Sequence, residues 1–533
     1  MPSSSRGLAR ARLVVGAAAL SALLVAITTA SATAAPTRHP GGSGHGPVVA
    51  TDRGLVRGIA TNAADEFLGI PYAAPPVGAL RWQPPQSMSR WPGVRQATQY
   101  APHCPQSASP FGIASSSEDC LYLNVFAPGD RGRQQRNLPV MVWIHGGALV
   151  TGESDDYDPT DLVRHGAIVV TINYRLGALG FLATSSLAAE QAGHAGNYGL
   201  MDQQAALRWV QRNIGRFGGD RHNVTIFGES AGGLSVLSQL ASPQAHGLFG
   251  KAIVESGAYA LTQAPLAQAE ASGASFAAAV GCESQSISCL RQVPVSTILG
   301  NESTVGYQPD IDGRVLTQSL GTSFVSGQFN RVPVMNGTNH DEWRLFAGLD
   351  QLLGNPVTAE NYQYQFGVPP DIAAKIVAQY PLSAYASPAL AVGAVGTDAT
   401  YACPALSADT MLSKYVPTYA YEFSDEQAPE VFLPAIAGFS YGAAHASELQ
   451  YLFGLHSAYP APLSSTQQQL AARMRAYWTN FAKRGFPSGS GAPLWPGFTS
   501  ARQRVQSLVT PQPHAETGFA AEHQCAFWSS LSG

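Results

Sequence analysis

The sequence predicts an α/β fold: a central, mostly parallel mixed sheet covered by helices on both faces, with large helical insertions. Two observations point there. Pro139–Ile144, Ala167–Asn173, Val224–Phe227 and Gly250–Ser256 are apolar, β-branched-rich runs, as strands buried on both faces should be. Between two of these runs, Leu200, Gln203, Gln204, Leu207, Trp209, Val210 and Ile214 recur at helical spacing. Strands alternating with helices in this way build parallel sheets with crossovers on both faces.

Composition narrows the class. The chain has 533 residues, 45% hydrophobic and 12% charged, with a formal charge of −4. Length alone would allow about three to four domains. No internal repeat or linker divides the chain, so residues 48–533 read as one domain. There is no basic footprint, so nucleic acid is not an expected partner. Residues 1–34 read as an export signal. Arg6, Arg10 and Arg12 form a positive start, Leu13–Ala30 is apolar, and small residues around Ala34 suit cleavage there. A retained anchor is the alternative reading of the apolar run, but its many Ala, Ser and Thr residues make it a weak one. Cleavage leaves a charge of −7 (−4 − 3), a flexible lead-in over 35–47 and no stable membrane anchor, and it implies a secreted protein. In an oxidising compartment the six cysteines, Cys104, Cys120, Cys282, Cys289, Cys403 and Cys525, are expected to pair. None shows C-x-x-C spacing, and no metal or cofactor is expected.

The elements follow in order. Val48–Thr51 and Gly54–Gly58 flank Asp52-Arg53 as a hairpin. Gly69–Pro76 reads as a proline-stiffened loop. Leu121–Phe126 alternates as a strand, and the four apolar runs named above are strands. Helices are expected near Gly199–Phe217, Leu234–Leu240, Leu266–Val280, Ile372–Gln379, Ala405–Lys414 and Ser465–Lys483. Val332–Asn336 and Thr418–Phe423 read as two further strands, and Pro487–Pro493 as a surface loop.

The chemistry centres on Gly228-Glu229-Ser230-Ala231-Gly232, which follows the Val224–Phe227 strand and fits G-x-S-x-G. A strand turning sharply into a helix needs small flanking residues, and the serine at its tip is strained and exposed. The next N–H, on Ala231, is one half of an oxyanion hole. The glycine-rich His145-Gly146-Gly147-Ala148, after another buried strand, is the expected site of the other half. A hydroxyl nucleophile also needs a base and an orienting acid. Asp341 and Glu342, beyond the Val332–Met335 strand, are both possible acids on position. His445, His456, His514 and His523 are possible bases, and small neighbours around His445 suit an open ring.

Many specific pieces between about Val48 and Trp528 resemble the type-B carboxylesterase family of the α/β-hydrolase fold, which includes cholinesterases and bacterial carboxylesterases. They are Glu118–Val125, Trp143–Gly147, Asn173–Gly177, Gly196–Gln203, Phe217–Asp220 and Gly228–Gly233, with Asn339–Glu342, then His445, Glu448 and Leu452–Gly454. The resemblance implies a catalytic triad of Ser230, Glu342 and His445, with Gly146, Gly147, Ala148 and Ala231 around the oxyanion. It also implies disulfides Cys104–Cys120, Cys282–Cys289 and Cys403–Cys525, and ion pairs Arg81–Glu118 and Arg175–Asp202. The implied activity is hydrolysis of small carboxylic esters through an acyl-enzyme. A lipase acting on lipid esters and a non-catalytic adhesion protein of the same fold are the rival readings; the second requires a broken triad, and all three residues are present. Three positions depart from the family. Leu149 follows Ala148 where Phe is usual. Trp343 stands where the family has glycine, beside Glu342, and would either narrow the site or fill core. The Cys104–Cys120 loop holds no tryptophan, which argues against choline esters.

Overall fold

The computed structural model describes residues 46–129 and 136–531. The export signal, 1–34, and residues 35–45 of the lead-in lie outside the described residues. At the centre is an eleven-stranded sheet. Its strands in chain order are β1 (Ile59–Ala60), β2 (Ala64–Pro71), β3 (Tyr122–Pro128), β4 (Leu138–Ile144), β5 (Ile168–Ile172), β6 (Gly219–Glu229), β7 (Lys251–Glu255), β8 (Val334–Asn339), β9 (Thr418–Phe423), β10 (Val505–Leu508) and β11 (His514–Glu516). Across the sheet they lie in the order β11-β10-β9-β8-β7-β6-β4-β5-β3-β2-β1. From β5 to β10 every neighbouring pair is parallel, and the pairs at both edges are antiparallel.

Alternation along the central strands makes two cores. Val140, Val142 and Ile144 of β4 face one side with Ile226, Val254 and Val334. Met141 and Trp143 face the other with Phe227, Ile253, Met335 and Phe423. Helices α1 (Tyr198–Asn213), through Leu207 and Val210, and α2 (Ala231–Ala241), through Val236 and Leu237, cover the first face. Helix α3 (Arg344–Leu352) packs against α4 (Pro388–Gly396), and α5 (Cys403–Leu412) packs against β8 and β9. The long α6 (Ser465–Arg484) covers the second face through Met474, Trp478 and Phe481. Its start is set by a capping box, in which Ser464 and Gln467 satisfy each other's backbone N–H groups, and its end by Gly485 at φ 78°.

The hairpin around Asp52-Arg53 forms as read, with Val48–Ala50 antiparallel to Leu55–Arg57. The loop expected from Gly69 begins later, because Gly69, Ile70 and Pro71 end β2. A register shift between Phe67 and Ile70 accommodates them. Gly69 takes φ +68° and its N–H donates to Asn124 Oδ1 at 2.9 Å, a side chain replacing the ladder partner. Proline at the last strand position then breaks no needed bond. The short strands at and next to the sheet edges, β1, β10 and β11, carry too few residues for a period to be legible.

Covalent and ionic ties hold the loops. All six cysteines pair as Cys104–Cys120, Cys282–Cys289 and Cys403–Cys525. The last closes a sequence separation of 122 residues, worth about 4–5 kcal/mol in the chain-entropy account. Arg81 grips Glu118 bidentately at 2.7 and 2.6 Å, and Arg175 grips Asp202 at 2.8 and 2.8 Å. Arg175 and Asp202 are 3% and 0% exposed, so neither charge has water to fall back on. Asp202→Asn would strand a buried guanidinium and is expected to lower unfolding free energy by about 3–5 kcal/mol, read from urea denaturation of the purified protein.

Candidate active site

β6 ends at Glu229, and α2 begins at Ala231, so Ser230 forms the whole turn between them. It sits at φ 56°, ψ −122°, a conformation a serine adopts only when its surroundings enforce it. The enforcement is close backbone contact. A Cβ at Gly228 would lie 2.5 Å from the Ile144 carbonyl oxygen, and one at Gly232 would lie 2.0 Å from the same atom. The helix N-terminus is thereby pressed against the end of β4, and the Ser230 N–H donates to the Glu255 carbonyl of β7 at 2.9 Å.

The glycine-rich turn after β4 arrives beside it. A Cβ on Gly146 would stand 3.2 Å from the Ser230 Cβ. Gly147, Ala148 and Leu149 all take positive φ, at 95°, 55° and 63°. The Gly147 carbonyl accepts from Val150 and Thr151, which closes the turn. Gly147, Ala148 and Ala231 N–H groups donate to no acceptor among the described residues.

Glu342 and His445 come from loops beyond β8 and β9. Glu342 is fully buried, and its Oε1 accepts from Thr338 Oγ1 at 2.7 Å and the Asn339 N–H at 2.8 Å. Its Oε2 meets His445 Nδ1 at 2.5 Å. Asp341, the other carboxylate in the motif, points elsewhere. Its Oδ2 accepts the Ala443 N–H at 2.9 Å and its Oδ1 pairs with Arg344 at 2.8 Å, tying the acid loop to the histidine loop. His456 also lines the cavity described below, whereas His523 is bound between Asp398 and Glu422 and the exposed His514 makes its ring contact with the Gln512 carbonyl.

Ser230 and His445 line one cavity, but among the described residues no hydrogen bond joins Ser230 Oγ to His445 Nε2. That nitrogen instead lies 3.1 Å from Glu229 Oε1. Glu229, inside G-x-S-x-G but not singled out by the sequence, therefore faces the imidazole from the cavity wall. Nor does the sequence single out the aromatic walls: Phe111, Tyr157, Phe346 and Phe432 join Trp343 around the cavity, with Asp156 and Asp350 as carboxylates at its margin. Trp343 thus lines the cavity and also packs against two neighbouring apolar clusters, so both readings of that position hold in part.

Electrostatics favours an imidazole that gains protons easily. Burial works against protonation of His445, and the carboxylates of Glu229 and Glu342 overcome it, pushing it up to about 9. Burial pushes Glu229 up to about 8 and Glu448 up to about 7. As those two groups take up protons near neutrality, the pull on His445 eases.

A strand–serine–helix elbow flanked by a glycine-rich turn, with a buried carboxylate–imidazole pair beyond later strands, defines an α/β-hydrolase with a serine at its centre. The comparisons make this specific. A sequence profile described as the carboxylesterase family matches residues 45–528. Acylcarnitine hydrolase of Mus musculus is 35% identical, over 87% of this chain and 88% of that protein. Para-nitrobenzyl esterase of Bacillus subtilis is 36% identical, over 85% and 92%. A solved PNB esterase structure aligns with a TM-score of 0.75 at 34% identity, covering 90% of this chain and 99% of that one. The chain belongs to the carboxylesterase family and is a carboxylic ester hydrolase. Among the described residues no helix is long and apolar enough to cross a membrane.

A base must be neutral to work, so activity is expected to fall as pH drops through the His445 pKa. Because Glu229 holds that pKa up, Glu229→Gln is expected to move the acidic limb of kcat/KM to lower pH. A limb that stays put in the Gln variant would show that Glu229 does not act on the ring.

Proposed function

We propose that the protein hydrolyses small carboxylic esters in two steps, through an acyl-enzyme on Ser230. The observation that carries this is the 2.5 Å contact between Glu342 Oε2 and His445 Nδ1 in a cavity that Ser230 also lines. Glu342 holds the ring with Nε2 directed inward and stabilises the imidazolium. Neutral His445 takes the Ser230 proton as Oγ attacks the ester carbonyl. The carbonyl oxygen, now negative, is held by N–H groups of Gly147, Ala148 and Ala231, with Gly146 leaving room beside the serine. The tetrahedral intermediate collapses, His445 hands its proton to the leaving alkoxide, and the alcohol departs. Water then attacks the acyl group, His445 takes its proton, and the acid is released as Ser230 recovers its hydrogen.

Hydrogen bonds between a nucleophile and its base are commonly loose before substrate binds and tighten around it. Relatives named acylcarnitine hydrolase, para-nitrobenzyl esterase and, at 33% identity in Homo sapiens, cocaine esterase support ester cleavage with varied alcohol parts. The three disulfides support export to an oxidising compartment.

Two measurements test the proposal. A fluorophosphonate probe should label the wild-type protein at Ser230 and leave Ser230→Ala unlabelled. Ser230→Ala should also lose turnover of a short-chain nitrophenyl ester by at least about a thousandfold, with an unchanged circular dichroism spectrum. Turnover persisting in that variant would remove Ser230 from the mechanism.

A further inference from the structure

The cavity wall on the histidine side is built from flat rings, and Trp343 is one of its members. The Phe346 ring lies 5.2 Å and the Tyr401 ring 5.0 Å from the His445 ring, and Trp343 lies 4.9 Å from Phe346. Trp343, Leu345, Phe346 and Leu349 all line the cavity, while Tyr401 backs the ring from behind.

Trp343 is held rather than merely present. Its backbone N–H donates to Thr397 Oγ1 at 3.0 Å. Its indole lies over Gly396 so closely that a Cβ there would stand 2.1 Å from the indole Cγ. Gly396 ends α4, and a π-helical turn, Thr397–Ala402, follows and delivers Tyr401. Such turns re-aim side chains within a helix. The π-turn places Tyr401 beside the histidine, and Gly396 seats the Trp343 indole against Phe346.

The reaction assigns this wall a role. His445 Nε2 must give its proton to the leaving alcohol oxygen, so that oxygen lies against the imidazole, and the group attached to it lies against whatever surrounds the imidazole. The acyl carbonyl is held from the other side, by the turn at Gly146–Ala148. We infer that Trp343 and Phe346 form a leaving-group subsite that selects esters of flat, aromatic alcohols, with Trp343 as the specificity-determining residue. This rests on the Ser230–His445 reading above. Flat rings favour offset or edge contacts with an aromatic guest beyond the area they bury, and a puckered ring of similar size cannot make them.

The test compares benzyl acetate with cyclohexylmethyl acetate, which share an acyl group and differ in the flatness of the alcohol. The fluorophosphonate probe counts active sites in each preparation, so a misfolded fraction does not enter the rates. The wild-type protein should prefer the benzyl ester by about tenfold in kcat/KM. Trp343→Leu should bring the two esters to within about twofold of each other, and Trp343→Phe should keep most of the preference. Across benzyl acetate, butyrate and hexanoate, the ratios should be the same in wild type and Trp343→Leu, because the acyl chain lies elsewhere. Equal wild-type rates on the two alcohols, a preference that survives Trp343→Leu, or a loss that follows acyl length would each overturn the subsite. Absence of probe labelling in the wild-type protein would instead overturn the serine mechanism beneath it.

Discussion

The structure depends on a place where three backbones touch without side chains between them. Gly228 at the end of β6 and Gly232 in the first turn of α2 both lie against the Ile144 carbonyl of β4. Only that approach lets the chain reverse from strand to helix within one residue, and it is what forces Ser230 to φ 56°. The same contact brings the end of β4 alongside, so the turn at Gly146–Ala148 lands next to the serine. The strain in the turn is small beside the burial of both sheet faces, and the two cores hold it in place.

Around that fixed point the remaining groups are positioned by polar ties between loops. Asp341 and Glu342 are neighbours in sequence with different tasks. Asp341 clamps its own loop to Ala443 and Arg344, and Glu342 is left to meet the ring. Asn339 adds a second strut, donating to the Ala444 carbonyl at 2.7 Å and to Glu448 at 2.5 Å. The result is an imidazole enclosed by three buried carboxylates, Glu229, Glu342 and Glu448. Burial favours the protonated forms of Glu229 and Glu448, pushing both up toward neutral pH.

The central strands were legible because burial on both faces writes an unbroken apolar run, and because β4, β5, β6 and β7 each carry one. The strands at and next to the edges were not, since two to four residues carry no period. Gly69–Pro71 misled for a related reason. Glycine and proline signal a loop locally, and only pairing with β3, with Asn124 supplying a hydrogen bond, makes them the end of a strand. Glu229 went unnoticed because nothing local marks it. Its importance comes from a ring more than two hundred positions away.

The sequence by itself determined the elbow and the class of chemistry, because a nucleophile on a one-residue turn needs its glycines at fixed local offsets, and those offsets are visible in one dimension. It also carried enough of a family's pattern to name the acid and the base. Tertiary structure alone decided that Glu229 faces the ring as well as Glu342, and that Trp343 lines the cavity while it packs against the apolar clusters beside it. Those outcomes depend on distances between segments about a hundred or more residues apart, and packing, not local spacing, sets such distances.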